Sequence, residues 1–145
     1  MKKRLLVLLL CASGAMPSFA QQADDILGTW FTADNDSKVE ITKKDGAYIG
    51  QIIWLSDPFE EDGKTPLIDD KNPNKELRNQ PIQGMILMTG LKWKNGEWDD
   101  GDIYDPESGN TYSAMATMPD KNTIKLRGYM GFSLLGRTTT WVRAK

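Results

Sequence analysis

Two dipeptides, Asp45-Gly46 and Asn95-Gly96, constrain this chain more than any other feature, because each sits between short runs in which apolar and polar residues alternate. A type I′ turn needs positive φ at both central residues, which Asp, Asn and Gly tolerate, so each pair predicts a two-residue hairpin. A third compact turn is predicted at "PDKN", 119–122. The intervening connections are longer: "DNDS" at 34–37, some thirty residues after position 55, "DPESGN" at 105–110 and "GFSLLG" at 131–136. Tight and long connections therefore alternate. In an up-and-down meander, alternate connections lie at the same end. The pattern predicts a cup, closed at the hairpin end and open at the other, and eight strands suffice to enclose room for one small ligand.

The strands themselves are predicted over 27–33, 38–44, 47–55, 85–94, 97–104, 111–118, 123–130 and 137–144, with no helical period of useful length. Val39 and Ile41 face one way while Lys38, Glu40 and Thr42 face the other, and Ile124, Leu126, Gly128 and Met130 oppose Thr123, Lys125 and Arg127. The expected fold is all-β, an eight-stranded antiparallel up-and-down barrel. Its longest loop carries one device: Asn72 as an N-cap before Pro73 predicts a short helix over 73–80, stopped by Pro81, placed as a lid over the open end.

Residues 1–20 stand apart from this fold. "MKKRLLVLLLCASGAMPSFA" has a basic start, an apolar stretch, and Ser18 and Ala20 as small residues at a cleavage site, the pattern of a secretory signal. It predicts a periplasmic or secreted protein whose single domain spans 21–145. Lipidation at Cys11 is the competing expectation, disfavoured by Leu10 where a small residue belongs. Loss of Lys2, Lys3 and Arg4 lowers the 18 basic residues to 15 against 20 acidic ones, a net charge near −5. With no basic run to neutralise phosphates, a nucleic-acid partner is not expected. Cys11 is the only cysteine, so no disulfide framework is expected in the mature chain.

Histidine is absent altogether. Ser-His-Asp and Cys-His constellations and most zinc sites are thereby excluded, and no cofactor is implied. The acids of "DDGDIYDPESGN" (Asp99, Asp100, Asp102, Asp105, Glu107) do not follow the spacing of an EF-hand loop and read as a turn, so no metal site is expected. Asp57, Asp69, Asp70 and residues 60–62 read as a solvated acidic loop rather than as a fixed pair for glycoside-type chemistry. A membrane-spanning barrel is not expected either: the strands are short, charges would face lipid in either register, and "VRAK" replaces an aromatic anchor.

In a closed meander the last strand lies antiparallel beside the first, which makes Arg143 a neighbour of Trp30. Here the chain resembles the lipocalin and calycin superfamily, whose signature is a Gly-x-Trp on the first strand with an arginine from the last strand across the indole; Gly28, Trp30 and Arg143 fit those roles. The gain expected from that contact is about 0.5–2 kcal/mol beyond aromatic burial. The segments "NPNKELRNQPIQGMILMTGL", "GDIYDPESGNTYSA" and "RGYMGFSLLGRTTTWVR" are similar to the DUF2147 family of uncharacterised exported bacterial proteins, which is regarded as lipocalin-like. The long third connection and the lack of a helix beside the barrel depart from true lipocalins, so ligand habits are not carried over.

The leading functional expectation is a binding protein for a small apolar or amphipathic molecule, without catalysis. Interior and mouth candidates are Trp54, Met88, Tyr112 and Met130, with Phe132, Leu134 and Leu135 as an apolar rim and Arg78, on the lid, for an anionic head group. Trp30, Trp54, Trp93, Tyr48 and Tyr112 together carry enough bulk to fill a small barrel, and a filled barrel acting through its rim on an envelope partner is the alternative. A histidine-independent hydrolase or isomerase is the third reading.

Overall fold

The computed structural model describes residues 21–145; the signal segment expected over residues 1–20, with Cys11 and the expected cleavage site near Ala20, lies outside the described residues. Eight strands run β1 (Gly28–Phe31), β2 (Ser37–Lys44), β3 (Ala47–Leu55), β4 (Ile86–Lys94), β5 (Glu97–Asp105), β6 (Asn110–Asp120), β7 (Thr123–Tyr129) and β8 (Arg137–Arg143). Each pairs antiparallel with its chain neighbours, and β8 pairs with β1 to close the barrel. The tight turns behave as their residues dictate, with Asp45, Gly46, Asn95 and Gly96 all at positive φ. All three hairpins lie at one end. Among the described residues no helix is long and apolar enough to cross a membrane.

The closed end is packed solid. Inward residues Trp30, Val39, Ile41, Tyr48, Met88, Leu91, Trp98 and Ile124 are buried and form one apolar cluster with their neighbours. Aromatic rings meet edge to face or tilted within it: Tyr48 against Trp98 with centroids 6.5 Å apart, and Trp93 against Trp98 at 4.6 Å. Below them a 3-10 turn, Ala23–Ile26, too short to carry a periodic signal, plugs the floor and buries Ile26. Its carbonyls are the acceptors that two buried indoles need: Trp30 Nε1 donates to Ile26 at 2.9 Å and Trp98 Nε1 to Ala23 at 2.9 Å. Tyr48 Oη and Lys43 Nζ both donate to the Asp24 carboxylate, at 2.6 and 2.9 Å, and these bonds hold its pKa below the usual range.

Arg143 locks floor to wall. Its guanidinium carbon lies 4.1 Å from the Trp30 ring centroid, and its three nitrogens donate to the carbonyls of Lys121, Leu27 and Asp25 at 2.8, 2.9 and 2.8 Å. Gly28 makes room for it. That residue has φ +121°, and a Cβ there would stand 2.9 Å from an Arg143 terminal nitrogen, so both backbone conformation and close approach require glycine.

The seam between first and last strands is short, with only Trp30↔Arg143 and Phe31↔Val142 in register. Above Phe31 the first strand turns away, and β8 from Arg137 to Trp141 pairs with β7 alone. The barrel is thus tightly sealed at its base and loosely sealed toward its mouth.

Candidate functional site

Above the packed floor the interior is hollow. The larger cavity, about 430 Å³, is walled by Ile52, Leu55, Ile103 and Trp141 from the strands and by Leu67 and Ile82 from the long loop. An adjoining cavity of about 380 Å³ is lined by Tyr112, Leu126, Gly128, Met130, Leu135 and Arg137; the two share Ile103, Asp105 and Thr139. Hollowness here has a sequence basis: the β7 position that lines the smaller cavity is Gly128, which leaves space that a larger residue would fill. Volumes of this size fall in the range of about 300–1,000 Å³ usual for small-molecule sites.

The 56–85 connection is not a free lid. Two isolated bridges, Phe59↔Pro66 and Ile68↔Pro81, fold it on itself. Asp69, only 1 % exposed, then pins it to the barrel: Tyr104 Oη donates to one carboxylate oxygen at 2.7 Å and Asn72 Nδ2 to the other at 2.6 Å. Desolvation and this bond to Asp69 push the Tyr104 phenol up to about 12. Lys71 Nζ adds a bond to the Glu107 carbonyl at 2.6 Å, tying the loop to the β5–β6 turn. The helix expected over 73–80 reduces to a single 3-10 turn, Lys75–Leu77, capped by Asn74, whose side chain accepts from the Glu76 amide at 3.1 Å. Asn72 is drawn instead to Asp69, so the capping role shifts by two residues.

The residues singled out from the sequence separate into three groups. Tyr112, Met130 and Leu135 line the smaller cavity. Phe132 and Leu134 stand at the rim, 77 % and 89 % exposed, on a 3-10 turn (Ser133–Leu135) that leads into β8. Trp54, Met88 and Arg78 lie elsewhere. Strict alternation from Ile52 would aim Trp54 inward, but a bulge sets Ile52 against Val39 and Trp54 against the outward Lys38, which turns the indole to the outer wall. There it packs edge-on against Phe31 at 6.2 Å, with Lys38 Nζ over both rings. Met88 does face inward, yet it belongs to the packed floor. Arg78 Nε donates to the Asn72 carbonyl at 2.7 Å, inside its own loop, and it lines neither cavity.

Asp69 and Trp141 are two of several residues the sequence does not point to, alongside wall residues such as Ile52, Ile103 and Thr139. Asp69 sits in an acidic loop that reads as solvated, and its one local signal is the apolar Leu67-Ile68 before it. Trp141 shares the inward parity of Arg143 on β8 and was overshadowed by it. In the 105–110 turn Asp105 accepts from the Glu107 amide and from Ser108 Oγ, as in an ordinary turn.

Comparison with known proteins agrees with this architecture. A family model described as an uncharacterised protein conserved in bacteria, DUF2147, matches residues 28–143, from the glycine of the first strand to the clamping arginine. The chain belongs to the DUF2147 family. No curated protein sequence matches it. Among solved structures, protein HP1028 from Helicobacter pylori, described as belonging to the lipocalin family, matches this DUF2147 chain with a TM-score of 0.70 and 23 % identity over 82 % of each chain. That likeness establishes a lipocalin-like barrel fold.

Proposed function

We propose that this protein is an exported, periplasmic or secreted carrier that binds a small apolar or amphipathic molecule in the upper half of its barrel. The carrying observation is the division of the interior: a fully packed floor beneath a hollow, apolar-walled chamber that opens at the loop-bearing end. A barrel filled throughout would not have this division. The export half of the reading is supported by the sequence of residues 1–20. Purification from the native host followed by mass spectrometry of co-purified small molecules tests the reading directly. Binding of a neutral alkyl glycoside, followed through Trp141 at the chamber base, tests it quantitatively. Thr139→Trp, which fills the space shared by both cavities, is expected to abolish that binding while leaving the melting temperature near that of the parent. Absence of any co-purified molecule, together with binding unaffected by Thr139→Trp, refutes the proposal.

A second reading has its own observation. Phe132, Leu134 and Leu135 project 77–89 % exposed from one rim loop, more apolar surface than an isolated barrel needs. In that reading the protein acts on an envelope partner through its rim. Phe132→Ser combined with Leu134→Ser separates the two, since it removes the rim patch without touching the chamber walls.

A further inference from the structure

The chamber wall is apolar, but its mouth carries charge of one sign. Four carboxylates line the larger cavity, Asp36, Asp57, Asp105 and Glu107, and no lysine or arginine does. They arrive from three different connections that meet only at the open end: Asp36 from the β1–β2 turn, Asp57 from the start of the long loop, Asp105 and Glu107 from the β5–β6 turn. Asp36 and Asp105 are held in place, Asp36 accepting from Thr32 Oγ1 at 2.9 Å and Asp105 from Ser108 Oγ at 2.6 Å. Asp57 and Glu107 are exposed. The basic groups nearby sit outside this chamber: Arg137 lines the adjoining cavity, and Lys71 borders an outer cleft while donating to the Glu107 carbonyl. Expected from the sequence was a basic lid residue receiving an anionic head group, and Arg78 lies away from both cavities.

We propose that the guest is a cationic amphiphile, an organic amine or quaternary ammonium whose apolar body fills the chamber while its charged head rests among Asp36, Asp57, Asp105 and Glu107. This rests on the carrier reading, since the hollow chamber makes the site and the carboxylates only select among guests. A negatively charged head at the same depth would lose its hydration beside four like charges, and an uncharged one would gain nothing from them. The acids also draw cationic guests toward the opening before contact.

Three probes of equal chain length decide the matter: decyltrimethylammonium, decyl sulfate and decyl maltoside, each titrated below its micelle concentration, with displacement of decyl maltoside confirming a shared site. The cation is expected to bind about five- to tenfold more tightly than the neutral probe, and the sulfate more weakly than either. Asp57→Asn with Glu107→Gln should remove most of the cation's advantage over the neutral probe. Glu40→Gln with Asp45→Asn removes the same net charge far from the mouth and should change neither. Equal affinities for cation and sulfate, or the same loss from both double variants, overturn the charge assignment while the carrier reading stands. No binding of any of the three overturns the carrier reading itself.

Discussion

Replacing Arg143 tests the floor of the barrel most directly. Arg143→Ala removes three donors at once, from carbonyls at 2.8–2.9 Å, together with the guanidinium over Trp30. The bonds to Leu27 and Asp25 are part-buried and contribute about 1 kcal/mol each, at the low end for a charged donor because water reaches the site. The bond to Lys121 is exposed and adds little. The ring contact adds about 1 kcal/mol. The loss is therefore about 3 kcal/mol, and at about 3–5 °C per kcal/mol for a domain of this size the melting temperature should fall by about 9–15 °C. Arg143→Lys keeps the charge but offers a compact ammonium that cannot reach three carbonyls together, so about half of the loss should remain. Urea unfolding followed by tryptophan fluorescence, with calorimetry alongside, measures both. A cycle with Trp30→Phe isolates the ring contact and should return a coupling of about 0.5–2 kcal/mol. An Arg143→Lys variant as stable as the parent, or an Arg143→Ala cost below about 1 kcal/mol, would refute the reasoning.

Other positions test the loop and the floor independently. Gly28→Ala forces a side chain into φ +121° and against the clamp, so it should cost about 1–3 kcal/mol, readable as a shift in urea midpoint at constant slope. Gly109, at φ +73°, admits the Lys71 backbone carbonyl where a Cβ would stand; Gly109→Ala should loosen the long loop and speed tryptic cleavage at Lys64, Lys71 or Lys75, with little change in barrel melting. Alkaline difference spectroscopy should find one of the four tyrosines ionising near pH 12, and Asp69→Asn should bring it down. Because the folded-state pKa of Tyr104 lies above the ordinary value of 10.0, its contribution to stability is complete below pH 10 and is lost as pH rises through the folded value. Four tyrosines titrating together would show that Tyr104 is not held as described.

The barrel was legible because its turns are written in residues with few backbone choices. Asp45-Gly46 and Asn95-Gly96 fix where strands reverse, and strict alternation at Val39 and Ile41 or Ile124 and Leu126 fixes which face is inside. Legibility ends where one residue is inserted. The bulge opposite Lys38 turns Trp54 outward, and nothing in the local sequence distinguishes that outcome from continued alternation. The floor turn at Ala23–Ile26 has no period of its own, and its carbonyls accept from the indoles of Trp30, four residues on, and of Trp98, 75 residues away. Asp69 was hidden for a similar reason, its partner Tyr104 lying 35 residues away. The rim carboxylates come from separate turns, so their convergence on one opening is a property of closure alone.

The clamp spans almost the whole domain, Arg143 and Asp25 being 118 positions apart. Such a distant contact is among the last to be rewarded during folding, because the intervening loop entropy must be overcome first. Until the eighth strand arrives, the nascent sheet has two raw edges, each able to recruit another chain. Self-association is therefore a hazard of the interval before closure, and any lesion that slows the docking of residue 143 should show itself first as aggregation during refolding and only afterwards as a lower melting point.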